Sequence, residues 1–387
     1  MLPNTLSTTF EALFNETPTA SFFAPGRVNL IGEHIDYNGG LVFPCAITKG
    51  TYATVSKRSD TTFKLYSENF KDLGIIEFDL AHLNLDSSGE WTNYVKCVLS
   101  ILLKRGYTIP FGLNIVVYGD LPNGAGLSSS ASLELLMCKI FDTFYDLQLE
   151  PTEMALIGKQ TENEYIGVSS GIMDQFAIAL GKKDSALLLN CDTQKYEHIP
   201  FDMQDYELVI MNTNKRRELA DSKYNERFNE CQTTLKLLQN HYPIDYLCDL
   251  SKAKLQEIEQ LNIDPILMKR LRHVISENSR VIQSTKYLAD NDIIGFGKLL
   301  TASHQSLKND YEVTGIELDT LVEAALNAGA IGARMTGAGF GGCAISLVKK
   351  EHIDLFIDKV GKHYEKTIGY AASFYKATIG NGPIQLN

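Results

Sequence analysis

The sequence predicts an α+β chain of two domains, on three observations. A strand pattern, a glycine-rich join and a helix pattern follow one another across residues 113–144. The composition shifts near residue 200, after which long charged helical stretches dominate. Beyond residue 318, helices alternate with strands in the manner of a split β-α-β unit. A chain of 387 residues has room for two or three domains with their own cores, and the expected division is 1–200 and 201–387.

Residues 1–16 read as a short helix, and residues 22–30 lead into a loop of unusual content, Ala24 to Gly40. Strands are expected at 52–56, 62–67 and 75–78, then a helix at 91–104. At 113–118, Leu113, Ile115 and Val117 alternate with Asn114, Val116 and Tyr118, a mostly buried strand. Apolar residues at 133, 136, 137, 140, 141 and 144 mark one face of a helix starting near Ser130. A further helix is expected at 151–165, with Pro151 early in it and Glu162 near its end. Strands at 187–190 and 208–213 precede helices across 226–239 and 252–299, which carry many charges and no evident catalytic cluster. The tail reads as a helix at 318–327 ended by Gly329, strands at 343–348 and 371–377, and a helix at 351–364 between them.

Composition excludes several classes. Hydrophobic content of 44% with 21% charged residues is ordinary for a globular chain. A net charge of -11 argues against a nucleic-acid partner. No apolar run approaches the roughly 18 residues of a membrane span, and the polar start is unlike a signal peptide. The seven cysteines are scattered without a Cys-x-x-Cys pair, so free, mostly buried thiols are expected rather than a zinc or disulfide framework. A cytoplasmic monomer is the expectation.

The join Gly119-Asp-Leu-Pro-Asn-Gly-Ala-Gly-Leu-Ser-Ser-Ser-Ala-Ser-Leu-Glu134 leaves backbone amides bare at Gly124 and Gly126 and gathers hydroxyls at a helix start. Bare amides at the positive end of a helix dipole make an anion site, and hydroxyls add phosphate donors and a magnesium ligand. The same residues also suit a glycine turn with serine caps. It is not a Walker A loop, since no Gly-Lys-Ser/Thr follows. Upstream, Arg27, Glu33, His34 and Asp36 fall within ten residues, among Val28, Leu30 and Ile31. That is either a binding loop or a solvated turn with a structural Arg–Asp pair. Asp174, between Met173 and Phe176, either caps a helix beginning at Gln175 or works in a cleft. Residues 215–223 are locally basic. Gly337 to Gly342 matches Gly-x-Gly-x-x-Gly, but a strand follows, so the dinucleotide reading fails its context. A protein-kinase glycine loop is excluded too, because His-Arg-Asp and Asp-Phe-Gly are absent.

Taken in order, these motifs resemble those of one family. Pro25-Gly-Arg-Val-Asn-Leu-Ile-Gly-Glu-His-Ile-Asp-Tyr37 looks like the galactokinase signature, and Gly171-Ile-Met-Asp-Gln175 is galactokinase-like. Gly124 to Ser132 resembles the phosphate loop of the superfamily that also holds homoserine, mevalonate and phosphomevalonate kinases, and Met335 to Gly342 its third motif. The resemblance runs from about residue 20 to the end. It implies a two-domain small-molecule kinase fold: an N-terminal domain like domain 2 of ribosomal protein S5, a ferredoxin-like C-terminal domain, and a site in the cleft between them. It further implies ATP-dependent phosphorylation of galactose at the C1 hydroxyl, with Mg2+, as the first step of galactose breakdown.

Residue by residue, the resemblance implies that Asp174 takes the hydroxyl proton. Arg27 beside it would favour the ionised carboxylate and offset charge on the transferring group. Glu33, His34, Ile35, Asp36 and Tyr224 would bind the sugar. Gly124, Ala125, Gly126, Leu127, Ser128, Ser129 and Ser130 would wrap the phosphates, and Ser67 would lie on the nucleotide side. Ser130 and Glu162 would hold magnesium, with Ser129 and Ser130 both open as the hydroxyl ligand. Two alternatives stand beside this reading: an N-acetylgalactosamine kinase, and a non-catalytic galactose and ATP sensor. The complete run Ser128-Ser-Ser-Ala-Ser132, with Arg27 and Asp174 present, speaks against the sensor.

Overall fold

A computed structural model describes residues 2–85, 90–121, 126–167, 171–215 and 220–386. In chain order the elements are α1 (Leu2–Phe14), β1 (Ala20–Asn29), β2 (Leu41–Val42), β3 (Pro44–Lys57), β4 (Thr62–Ser67), β5 (Ile76–Asp79), α2 (Glu90–Lys104), β6 (Leu113–Gly119), α3 (Ser129–Tyr145), α4 (Pro151–Gln160), α5 (Met173–Ala179), β7 (Ser185–Asn190), β8 (Tyr196–Pro200), β9 (Tyr206–Asn212), α6 (Ala220–Leu238), α7 (Leu255–Glu259), α8 (Pro265–Ala289), α9 (Ile293–Ser306), α10 (Gly315–Asn327), β10 (Gly332–Thr336), β11 (Cys343–Lys349), α11 (Ile353–Ile368), β12 (Ser373–Ala377) and β13 (Ile384–Gln385).

The first half forms a six-stranded sheet in the order β13-β1-β3-β6-β4-β5, with a smaller sheet β2-β7-β8 beside it. Only β4 and β6 pair in parallel in the large sheet, and α2 lies in the crossover between them. One apolar core joins this sheet to α2, α3, α4 and α5. The short helix α1 covers the opposite face, where Leu6 and Phe10 pack on Val116. The second half carries an antiparallel sheet in the order β10-β11-β9-β12. With α11 between β11 and β12 and the helices α6 to α10 between β9 and β10, this is the expected ferredoxin-like split β-α-β order, enlarged by helices.

Several local expectations change. Residues 20–29, expected as the approach to a loop, form β1, and every one of its residues is buried. Pro25 and Gly26 read as turn residues, but they sit at a bulge between Pro25 and Arg27 where pairing with β3 shifts. Strand β3 begins at Pro44 rather than near residue 52, because Pro44 and Gly50 interrupt the alternation that a strand reading needs. The short strands β2, β8 and β13 carry no sequence pattern that separates them from loops. Helix α4 ends at Gln160, and residues Thr161–Ile166 widen into a π-helical turn. All seven cysteines are free, and five are buried. Among the described residues, no helix is long and apolar enough to cross a membrane.

Candidate active site

Arg27 reaches the cleft because the bulge in β1 re-aims it. Its Nε donates to Asp174 Oδ1 at 2.8 Å and its Nη2 to Oδ2 at 2.7 Å, a two-pronged ion pair. Nη1 donates to the carbonyl of Gly126 at 2.7 Å, so the same guanidinium also grips the serine turn. Gly26 makes this approach possible. A Cβ there would lie 2.7 Å from the Leu127 carbonyl and 2.8 Å from the Leu121 side chain. The backbone of Arg27 donates to that Leu127 carbonyl at 3.2 Å.

Asp174 lies in the first turn of α5, and Ile172 occupies the cap position with no side-chain cap bond. Asp174 therefore does not cap the helix, and its carboxylate is paired with Arg27 instead. Ser128 Oγ donates to Asp174 Oδ2 at 2.5 Å. Ser128 stands at the N-cap of α3 in a left-handed conformation and makes no capping bond, so its hydroxyl serves the carboxylate instead. Arg27 is buried, while a third of the Asp174 side chain remains open.

Two residues further on, the Ser130 hydroxyl faces the Glu162 carboxylate. Burial pushes Glu162 above the usual carboxylate range, and the Ser130 hydroxyl partly opposes that. Glu162 stands in the π-helical turn, a distortion common at functional positions. On the far side of the serine turn, Ser67 and Ser129 line one pocket with Thr51, Asn69, Trp91 and Leu133. Gly124 and Ala125 lie outside the described residues.

The turn at residues 32–36 faces the cleft from the other side. Burial raises Glu33 above its usual range, although its Oε1 accepts from Gly337 N–H at 2.7 Å and sits 3.5 Å from Arg334 Nη1. Asp36 is half-buried and pushed up to about 6, first by burial and then by the charge of Glu33. The ring of Tyr224 stands 5.5 Å from His34 and 5.6 Å from Tyr37.

His34 and Ile35 are also tied into the protein itself. The Nε2 of His34 lies 3.1 Å from the carbonyl of Ala338, which can only accept, so Nε2 carries the proton. Nδ1 then accepts from the Tyr37 hydroxyl at 2.9 Å. Burial holds the ring neutral, with its pKa lowered to about 3. Both ring nitrogens are thus committed within the protein, and His34 braces the turn. Ile35 is fully buried, in the core shared with the second half of the chain.

Sequence reasoning missed the groups that hold this turn. Thr336 Oγ1 accepts from Asn29 N–H and donates to Asn29 O, while Arg334, wholly buried, donates to the carbonyls of Asn29 and Leu30. The third motif is therefore a bracket that locks the sugar signature in place, which its glycines alone did not reveal. Glu277 and His273 on α8 grip the same turn from behind, 245 and 240 positions away in sequence.

Comparison with known proteins agrees with this geometry at two levels. Residues 93–182 match the GHMP kinases N terminal domain and residues 284–366 the GHMP kinases C terminal domain. A mevalonate kinase crystal structure superposes with a TM-score of 0.71 at 21% identity, covering 94% of this chain and all of the other, which speaks for the fold alone. The fold and the serine turn thus define a small-molecule kinase of the GHMP class. Within that class, residues 8–57 match the galactokinase galactose-binding signature. A galactokinase of Clostridium perfringens is 55% identical over 99% of both chains. The crystal structure of Lactococcus lactis galactokinase complexed with galactose is 48% identical over the full length of both, with a TM-score of 0.94. The chain belongs to the galactokinase family.

Proposed function

We propose that this protein transfers the γ-phosphoryl group of ATP to the C1 hydroxyl of D-galactose, giving galactose 1-phosphate and ADP. The observation that carries the reading is the Arg27–Asp174–Ser128 contact beside the serine turn. In the mechanism, an Asp174 carboxylate oxygen accepts the hydroxyl proton as the sugar oxygen forms its bond to the γ-phosphorus. The bond from that phosphorus to the oxygen bridging to ADP breaks, and ADP leaves. Arg27 holds Asp174 in line and neutralises charge next to the transferring group. Phosphoryl transfer depends chiefly on positioning and charge neutralisation, which suits these residue types.

The residues also fit magnesium. Ser130 and Glu162 present oxygen donors that face each other, and no denser cluster of His, Cys, Asp or Glu exists among the described residues. That small set suits an ion that keeps waters and takes other ligands from phosphates. When bound, it would neutralise phosphate charge. Ser130, facing Glu162, is the hydroxyl we assign to it, and Ser129 to the nucleotide side with Ser67.

Asp36, Glu33 and Tyr224 form the sugar side, with the main chain of His34 and Ile35. Gly126, Leu127 and Ser128 face the phosphates. The division at residue 200 fits two sheets served by one cleft, with β13 returning to the first. A monomer in a reducing, cytoplasmic setting suits the free thiols. The test is ADP release measured across galactose, N-acetylgalactosamine, glucose, homoserine and mevalonate. Release with galactose well above the other four supports the reading, and preference for any of them replaces it.

A further inference from the structure

We propose that Glu277 is a positioning residue for the sugar end of the cleft, acting through the peptides on either side of Gly32. This rests on the assignment of residues 33–36 to the sugar. Glu277 lies on α8 and is wholly buried, as is His273 one turn earlier. Its Oε1 accepts from Gly32 N–H at 2.9 Å, from Glu33 N–H at 3.4 Å and from Ser303 Oγ at 2.6 Å. Its Oε2 accepts from Arg280 Nε at 2.7 Å. His273 Nε2 donates to the Glu33 carbonyl at 3.0 Å, and its Nδ1 lies 3.0 Å from the Ser306 hydroxyl on α9.

One face of one helix therefore takes both amide protons and the carbonyl of this turn, since positions 273, 277 and 280 align along a helix. Burial alone would push Glu277 up. Arg280, His273, Arg334 and the Ser303 bond outweigh it and hold the carboxyl down at about 2, so the acceptor stays charged. A fixed buried carboxylate with three donors on one oxygen fixes the two peptide planes that flank Gly32. Those planes set where the Glu33 carboxylate meets Gly337 and where Asp36 enters the cleft. Gly32 fits because it has φ +102° and a Cβ there would lie 2.8 Å from the Leu41 carbonyl. Glu277 touches no reacting group, and its effect reaches the sugar only through the turn.

The experiment is calorimetric titration of the full-length protein with galactose, and separately with a β,γ-imido ATP analogue plus magnesium chloride. In Glu277→Gln we expect galactose affinity to fall about tenfold, as for loss of a group that orients a ligand, with nucleotide affinity within about twofold. Unchanged galactose affinity, or equal loss for both ligands, overturns the proposal, whatever happens to the melting temperature. If that variant does not fold, His273→Leu leaves no buried charge unpaired and is read in the same way: selective loss for galactose supports the proposal and no selective loss overturns it. Asp36→Asn serves as control. If it leaves galactose affinity unchanged, the sugar assignment fails. If it weakens galactose while the Glu277 and His273 variants do not, only the positioning role fails.

Discussion

The serine turn at 127–130 and the turn at 32–36, proposed here to bind the sugar, reach one cleft by different routes. The first takes its polar contacts from the first half of the chain, Leu127 from Arg27 and Ser128 from Asp174, while the Leu127 side chain packs into the core of the other half. The second is held by the other half, through Glu277, His273, Arg334, Thr336 and Gly337. Its apolar residues Val28, Leu30, Ile31 and Ile35 also sink into the core of that half. The polar contacts of the two turns therefore come from different halves, and on the proposed roles loss of sugar binding should be separable from loss of phosphate binding.

The largest expected effect lies where the two routes meet. Arg27→Lys keeps a positive charge but loses the two-pronged grip on Asp174 and the bond to Gly126, so kcat should fall roughly a hundredfold or more. Steady-state rates at saturating galactose and ATP check this, and a kcat within threefold would break the link between turn and base.

Asp36 tests the sugar side alone. With its carboxyl pushed up to about 6, the protonated fraction grows as pH falls below that value. The ionised form accepts sugar hydroxyls, so galactose affinity should weaken on acidification, by at most about tenfold per pH unit. Nucleotide affinity should not follow it, and Asp36→Asn should bind galactose weakly at every pH between 5 and 8. Calorimetry across that range decides the matter, and a profile common to both ligands would contradict the separation.

A smaller effect is expected on the phosphate side. Glu162→Gln keeps a polar group facing Ser130 but removes a charge, so the magnesium needed for half-maximal rate should rise about tenfold. Galactose affinity measured without nucleotide should stay unchanged.

The same contrast explains what could be read in the sequence. The serine turn was legible because its strand, glycines, hydroxyls and helix lie within about thirty residues, and each obeys a local rule. The split β-α-β order of the second half was legible for the same reason. Arg27 was recognised as chemistry but misplaced on a loop, because Pro25-Gly26 signals a turn and only pairing with β3 shows a bulge. Asp174 stayed open between cap and base, since its partners Arg27 and Ser128 lie 147 and 46 positions away. Glu277 gave no signal at all. On a charged helix it looks like any solvated glutamate, and its burial against Gly32 is decided by tertiary packing.

The central claim is that Arg27 and Asp174 converge on the hydroxyl that receives phosphate. Asp174→Asn keeps the shape of the side chain and removes the base. The direct measurement is phosphoryl transfer from labelled ATP to galactose by this variant, with galactose binding followed by calorimetry in the same preparation. Transfer should fall by at least about a thousandfold with galactose still bound at measurable affinity. Transfer within tenfold of the unsubstituted protein would contradict it.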